Sequence, residues 1–118
     1  MKDNNIYKIK TPYSDEEYTV RIFALSYLMP QRLAVHLFDI DSCEPFLDAT
    51  VNIPDEPISG DDCAFIDTNN YPWIGKFLQS NNIAKPTGYI GMSGYCTYPE
   101  YRFDLSKLTR EDGTNGSM

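Results

Sequence analysis

The middle of the chain lacks basic residues: residues 33–75 contain neither Lys nor Arg. Phosphate recognition needs such side chains to displace counterions, so this stretch repels nucleic acid and anionic membrane surfaces. The same stretch carries nine acidic residues, which are Asp39, Asp41, Glu44, Asp48, Asp55, Glu56, Asp61, Asp62 and Asp67. The sequence therefore argues against direct binding to DNA, RNA or a membrane.

Long apolar runs and closely spaced cysteines are missing as well. No uninterrupted apolar run approaches the length of a bilayer-spanning helix, and residues 1–5 are too polar to begin a secretory signal. Cys43, Cys63 and Cys96 lie far apart and form no C-x-x-C motif, so we expect reduced thiols. These absences predict a cytoplasmic protein.

The residues that are present suffice for one hydrophobic core. Of the 118 residues, 42% are hydrophobic, and nine Tyr and six Phe supply large apolar side chains. A chain of this length buries roughly 65% of its unfolded surface on folding. Since no repeat, low-complexity tract or linker divides it, we expect a single domain over residues 1–107. A polar flexible tail is expected over residues 108–118.

Alternation of apolar and polar residues predicts strands over residues 6–10, 17–28, 33–40 and 46–53, and the apolar run at residues 63–66 predicts a short buried strand. The second and third form a hairpin about a turn at 29–32. Residues 54–62 are rich in Pro, Gly and Asp and predict a loop.

A helix is predicted over residues 72–81, where an apolar stripe recurs at helical spacing from Trp73 to Phe77 and from Ile74 to Leu78. Pro86 and the glycines at 88, 91 and 94 predict bulges or turns in an irregular segment, before a last strand at 98–105. The expected fold class is α+β: an antiparallel β-meander sheet with one main α-helix packed on a face.

The acidic segment has two interpretations. Its carboxylates can simply lie on solvent faces and keep the protein soluble. Alternatively they form an electrostatic docking face for a protein partner with a basic surface, such as a nucleic-acid channel. The partner-binding acids under the second interpretation are Asp39, Asp41, Glu44, Asp55, Glu56, Asp61 and Asp62.

Several patterns that could hold a metal or catalyse a reaction are incomplete. Asp39-x-Asp41-x-x-Glu44 resembles the start of a calcium loop, but the Gly and the distant Glu of an EF-hand are absent. Solvated acids at a strand end are the expected interpretation, and a weak cation site is the alternative. His36 is the only histidine and has no Cys at a recognisable spacing. We expect no catalytic residue, metal or cofactor.

Tyrosines concentrate near the end of the chain. Some of them should pack in the core, and those left exposed are candidate anchors for a protein partner, because Tyr and Arg are frequent in binding hot spots. The candidates here are Tyr98, Tyr101 and Arg102.

Two aromatic-rich stretches carry a family resemblance: CAFIDTNNYPW at residues 63–73 and PTGYIGMSGYCTYPEYRFDL at residues 86–105. On these stretches the chain resembles an uncharacterised domain-of-unknown-function family carried by conjugative and integrative elements of gut bacteria. The resemblance implies a mobile-element context. Small acidic proteins of such elements often act against host systems, CRISPR nucleases included. Because the activity of the family is not established, the resemblance assigns no role to any residue of this chain.

Three functions are thus to be compared. The first is a non-catalytic protein-binding module of a mobile element that inhibits a basic nucleic-acid-handling host protein. The second is an accessory or structural subunit that binds through the aromatic surface around residues 95–103. The third is a small enzyme, which no grouping of nucleophile, base and orienting residue in the sequence supports.

Overall fold

A computed structural model describes residues 5–110, and they form a mostly β structure that is 54% strand and 9% helical. The strands are β1 (Ile6–Lys10), β2 (Glu17–Leu28), β3 (Gln31–Asp39), β4 (Glu44–Asp48), β5 (Thr50–Val51), β6 (Cys63–Ile66), β7 (Ala84–Ser93), β8 (Cys96–Phe103) and β9 (Thr109–Arg110). One short α-helix, α1 (Ile74–Ser80), follows β6, and a 3-10 turn spans Leu105–Lys107. No helix within residues 5–110 has the length and apolar character to cross a membrane.

The first sheet has the order β1-β2-β3-β4, with β9 on the same edge of β2 as β1. β2 and β3 form a long antiparallel hairpin in which Val20 pairs with Asp39 and Leu28 with Gln31. β1 covers the first part of β2, and β9 pairs in parallel with Phe23 and Ala24. β2 is therefore the central strand of this sheet.

The second sheet has the order β5-β6-β8-β7 and is antiparallel throughout. The chain passes from one sheet to the other at Ala49, between β4 and β5. The Ala49 amide donates to the Val35 carbonyl of the first sheet, and the Ala49 carbonyl accepts from the Asp67 amide just after β6. Ala49, which is buried, thus links the two sheets through its backbone.

Both sheets contribute to one hydrophobic cluster. The first sheet supplies Val20, Ile22, Val35 and Leu37, which alternate along their strands as a half-buried sheet requires. The second sheet and the helix supply Ala64, Ile66, Ile74, Leu78, Tyr101 and Phe103. Each element thus buries one face against the others, as packed layers of secondary structure do.

The expected α+β fold class is wrong, because the helix is a minor element and the strands form two sheets instead of one meander. Two features account for the error. Apolar and polar residues alternate in the sequence throughout residues 46–53, although the chain passes from the first sheet to the second within this segment. The alternation therefore does not reveal the crossing. The helix is also shorter than predicted, because residues 72 and 73 lie in a turn that precedes Ile74.

Individual strands agree better with the sequence. β1, β2 and β6 begin and end where the sequence predicts, and the β2–β3 hairpin is confirmed. The glycines at 88 and 94 have φ of 99° and 62° and lie in a bulge and a turn, as expected. Leu108 is buried and Thr109–Arg110 forms β9, so the folded part of the chain extends past Lys107. The rest of the expected tail, 111–118, lies outside the described residues.

Candidate functional site

Residues 54–62, here called the acidic loop, fold back over the face of the second sheet that points away from the shared core. Phe65 and Cys63 in β6 lie on this face and are buried, although neither belongs to the shared cluster. Gly91 in β7 permits this packing, because a Cβ on it would come within 2.6 Å of the Phe65 ring. The acidic loop is therefore part of the packed structure.

A buried carboxylate holds this loop in place. Glu100 of β8 is fully buried and accepts hydrogen bonds from the Ser59 amide at 2.8 Å and the Ser59 hydroxyl at 2.7 Å. Its Oε1 also accepts from the hydroxyl of Thr87, in the β7 bulge. Burial raises the pKa of Glu100, but these hydrogen bonds and the nearby Arg102 outweigh burial and hold the pKa below its ordinary value.

Two of the expected partner-binding acids make similar contacts within the chain. The Glu56 carboxylate accepts from the Tyr89 hydroxyl at 2.6 Å and from the Met92 amide at 2.9 Å, and these bonds lower the pKa of Glu56. Asp62 accepts from the Arg102 guanidinium at 2.8 Å. These two carboxylates hold the loop to β7 and β8.

A second acidic group lies at one end of the first sheet. Lys10 pairs with Glu17 across β1 and β2, and the Ile40 amide donates to the Thr19 carbonyl. The loop before β2 and the turn between β3 and β4 therefore meet at the same end of the sheet. The residues that define this acidic end are Asp15, Glu16, Glu17, Asp39, Asp41 and Glu44.

Most of these carboxylates face solvent. Asp39 is half-buried and accepts from the Asp41 amide at 3.0 Å, which fixes the turn, whereas the other five residues of the acidic end are exposed. Lys10 is the cation that the strand register places opposite Glu17. The acidic end thus presents several carboxylates beside Lys10, and Lys8 lies two residues further along β1, where its ammonium donates to the Thr19 hydroxyl.

The two acidic groups lie far apart, so the acids of residues 39–67 do not lie on one continuous surface. The acidic loop begins beside the first residues of β3, where Arg32 donates to the Ile53 carbonyl at 3.0 Å. Asp39 lies at the opposite end of β3, seven residues on. At about 3.3 Å per residue, this separation is roughly 23 Å.

The sequence reasoning also missed Asp15, Glu16 and Glu17. They precede residues 33–75, the stretch that contains no Lys or Arg, so their positions in the sequence do not group them with Asp39 and Asp41. The predicted β2–β3 hairpin was the signal that could have found them, because an antiparallel hairpin returns the end of its second strand to the start of its first.

The expected aromatic surface is also arranged differently. Tyr101 is buried, accepts from the Gln79 amide group at 3.0 Å and packs against Gly75, so Tyr101 is not a surface anchor. Tyr98 is half-buried, and Arg102 pairs with Asp62. Next to this region, β7 and the β7–β8 turn expose four large apolar side chains, which are Tyr89, Ile90, Met92 and Tyr95.

Cysteine and histidine side chains are the other candidates for metal binding or chemistry within residues 5–110. No group of three or more His, Cys, Asp and Glu side chains there could hold a metal ion. Burial raises the pKa of Cys63 to about 11, which keeps the thiol protonated at neutral pH. His36 Nδ1 lies 2.7 Å from the Asp48 carboxylate, whose side chain is 80% exposed.

Comparison with known proteins gives a family and no function. A family model described as a domain of unknown function, DUF4313, matches residues 22–116. No curated protein and no solved structure matches the chain. The matched region contains both acidic groups except for Asp15, Glu16 and Glu17.

Proposed function

Because the chain belongs to this family of unknown function, we propose its role from its own surface: a small non-catalytic protein-binding module that docks its acidic end onto a basic protein surface. Its setting is the cytoplasm of a gut bacterium that carries a mobile element. Its partner is a nucleic-acid-handling host protein, which the module inhibits by covering the basic channel.

The observation that carries this proposal is the convergence of three chain segments at one end of the first sheet. The loop before β2, the end of β3 and the β3–β4 turn each contribute carboxylates there. Charges within a Debye length, about 8 Å at physiological ionic strength, reinforce one another's field. Such a field accelerates encounter with a basic partner and favours it over acidic ones.

The state of the possible nucleophiles supports a non-catalytic role. The Cys63 thiol is buried and its pKa is raised to about 11, so little thiolate forms at neutral pH. Cys43 lies in the β3–β4 turn, seven residues along the chain from His36. Binding therefore accounts for the surface better than covalent catalysis does.

Charge reversal at the acidic end tests the proposal. The variant Asp41→Lys with Glu44→Lys is compared with the wild type against purified host nucleases, RNA-guided nucleases included. Wild-type inhibition of cleavage should weaken as salt rises, and the variant should lose roughly tenfold or more in inhibitory potency. The reason is that reversed charges repel the basic channel.

The matched control reverses two exposed acids of the acidic loop, Asp55→Lys with Asp61→Lys, and so changes the net charge equally. It should inhibit nearly as well as the wild type. If both variants lose inhibition equally, net charge alone drives the effect, and the acidic end has no special role. Inhibition that ignores ionic strength would contradict the electrostatic mechanism.

The alternative is an accessory subunit that binds through the β7–β8 hairpin. The favouring observation is that Tyr95 is completely exposed at the hairpin turn, with exposed Ile90 and Met92 on β7. Exposed aromatic and Met side chains are typical of protein-binding surfaces. Under this alternative, Tyr95→Ala with Met92→Ser abolishes partner binding, whereas the charge reversals at the acidic end do not.

A further inference from the structure

The β7–β8 hairpin presents an apolar patch on one of its two faces. Gly91 faces the Phe65 ring, since a Cβ on Gly91 would come within 2.6 Å of it. Successive side chains of a strand point to opposite faces, so Ile90 and Met92 lie on the other face. Ile90 is 50% exposed, Met92 is 59% exposed, and Tyr95 is completely exposed at the turn. With the β8 residues that pair with Met92 and Ile90, this patch, here called the hairpin face, consists of Ile90, Met92, Tyr95, Thr97 and Pro99.

The hairpin face belongs to the longest uncharged stretch of the sequence. Residues 86–99 contain no Asp, Glu, Lys, Arg or His, although the whole chain has a net charge of −7. Two copies of such a chain repel each other where their acidic surfaces meet. The hairpin face brings no charged side chain of its own to a contact between copies, so the repulsion is weakest there.

The opposite side of the hairpin and the edge of β7 are already used within the chain. β7 lies at one end of the strand order β5-β6-β8-β7, and its Met92 amide donates to the Glu56 carboxylate at 2.9 Å. The Tyr89 hydroxyl donates to the same carboxylate, and the Tyr89 ring lies beside Phe65 with 6.2 Å between the ring centroids. Glu56 therefore places a negative charge at this edge, where the Glu56 of a second copy would be repelled. A second copy is expected to pack against the hairpin face instead of extending the sheet.

The exposed area of the hairpin face suits a weak dimer. The exposed fractions of Ile90, Met92 and Tyr95 amount to about two whole side chains, which is roughly 400 Å² of apolar surface. Two such patches in contact bury about 800 Å², and Thr97, Pro99 and the surrounding rim bring the total close to the roughly 1,200 Å² of small specific interfaces. An interface of this size predicts a dissociation constant in the micromolar range or above.

We propose that two copies of the protein form a two-fold symmetric dimer through their hairpin faces. In a symmetric contact the same patch serves on both copies, so Tyr95 of one copy lies against Ile90 and Met92 of the other. A tyrosine ring packs favourably on a Met thioether. The dimer carries two acidic ends, but its formation does not depend on them, so this inference and the docking proposal stand or fall separately.

Sedimentation equilibrium of the full chain tests the inference under reducing conditions, so that the exposed Cys43 does not link two copies by a disulfide. Between about 10 μM and about 1 mM, the mean mass should rise from that of one chain toward that of two. Raising the salt concentration should strengthen the dimer, because screening reduces the repulsion between negatively charged copies and leaves the apolar contact intact. In NMR spectra over the same concentrations, the amide signals that shift should be those of residues 89–99.

A matched pair of variants locates the contact. Met92→Ser with Tyr95→Ser should weaken self-association at least roughly tenfold, because it removes two exposed apolar side chains from the hairpin face. Leu28→Ser with Met29→Ser removes two others, which are 85% and 83% exposed at the tip of the β2–β3 hairpin, and should leave self-association unchanged.

Three results would overturn the proposal: equal losses in both variants, concentration-dependent NMR shifts confined to regions outside residues 89–99, or a dimer that salt weakens. A wild type that stays a single chain at about 1 mM would do the same and would leave the hairpin to the accessory-subunit alternative. The wild-type measurements need no variant, so a variant that fails to fold leaves the test intact.

Discussion

The acidic loop and the acidic end have similar compositions but use their carboxylates differently. In the loop, Glu56 and Asp62 accept hydrogen bonds from β7 and β8, and Ser59 is held by Glu100. At the acidic end, Asp41 and Glu44 are exposed, and no hydrogen bond to their carboxylates is described. Local charge along the sequence therefore does not show which acids are available to a partner.

The difference arises from what lies opposite each group in the fold. The acidic loop covers a sheet face that presents hydroxyl groups, an amide and Arg102, all of which can donate to carboxylates. The acidic end covers no sheet face and lies where strands turn. Carboxylates become structural where donors face them, and otherwise they stay solvated.

The sharpest way to test this comparison is to remove the carboxylate that holds the loop. Glu100→Ala should lower the free energy of unfolding by about 3 kcal/mol, because it leaves the Ser59 and Thr87 donors unpaired and opens a cavity. Urea denaturation followed by tryptophan fluorescence measures the change.

The control for that experiment is Glu100→Gln, which preserves volume and one acceptor oxygen. It should be less destabilising than Glu100→Ala. If Glu100→Ala unfolds at the same urea concentration as the wild type, the buried carboxylate does not hold the loop, and the contrast between the two acidic regions disappears.

Low pH should have the second-largest effect, because it weakens the hydrogen bonds that hold the acidic loop. The pKa of Glu100 and that of Glu56 are both lowered in the folded protein, so their contribution is complete above the ordinary pKa of 4.5. This contribution to stability is lost as the pH falls from 4.5 through the lowered pKa of each carboxylate, because protonation then favours the unfolded chain. Stability measured from pH 6 to about pH 3 should fall, and Glu100→Gln should flatten that fall. Parallel curves for the two proteins would contradict the assignment.

Much of the strand pattern could be predicted from the sequence, and the long-range arrangement could not. Alternation located β1 and β2, and a continuous apolar run located β6, whose four residues are all buried. It missed β7, because Pro86 and three glycines suggest irregular structure, and the strand has a bulge there. It also missed the role of Glu100, since nothing near that residue in the sequence shows that Ser59 will lie beside it.

The same limit applies to the proposed surfaces. The absence of Lys and Arg from residues 33–75 is visible in the sequence, but Arg102 comes from β8 to pair with Asp62. Glu17 reaches Asp39 and Asp41 only through the hairpin register. A charged surface is assembled from residues that the fold brings together from distant parts of the chain. The local sequence therefore predicts which charges are present better than where they lie on the surface.

The smallest expected changes in stability come from neutralising single exposed charges, one in the acidic loop and one at the acidic end. Asp62→Asn should lower stability by less than about 1 kcal/mol, because its ion pair with Arg102 is partly exposed and screened by solvent. Asp41→Asn at the acidic end should leave stability unchanged or raise it slightly, since it relieves repulsion among like charges. Thermal unfolding of both variants at low and high salt measures these changes in stability. The difference in stability between the two variants should be smaller at high salt, because salt screens both the Asp62–Arg102 attraction and the repulsion around Asp41. A loss of stability in Asp41→Asn comparable to that in Asp62→Asn would mean that the acidic end is also built from internal contacts, and the docking proposal would then lose its basis.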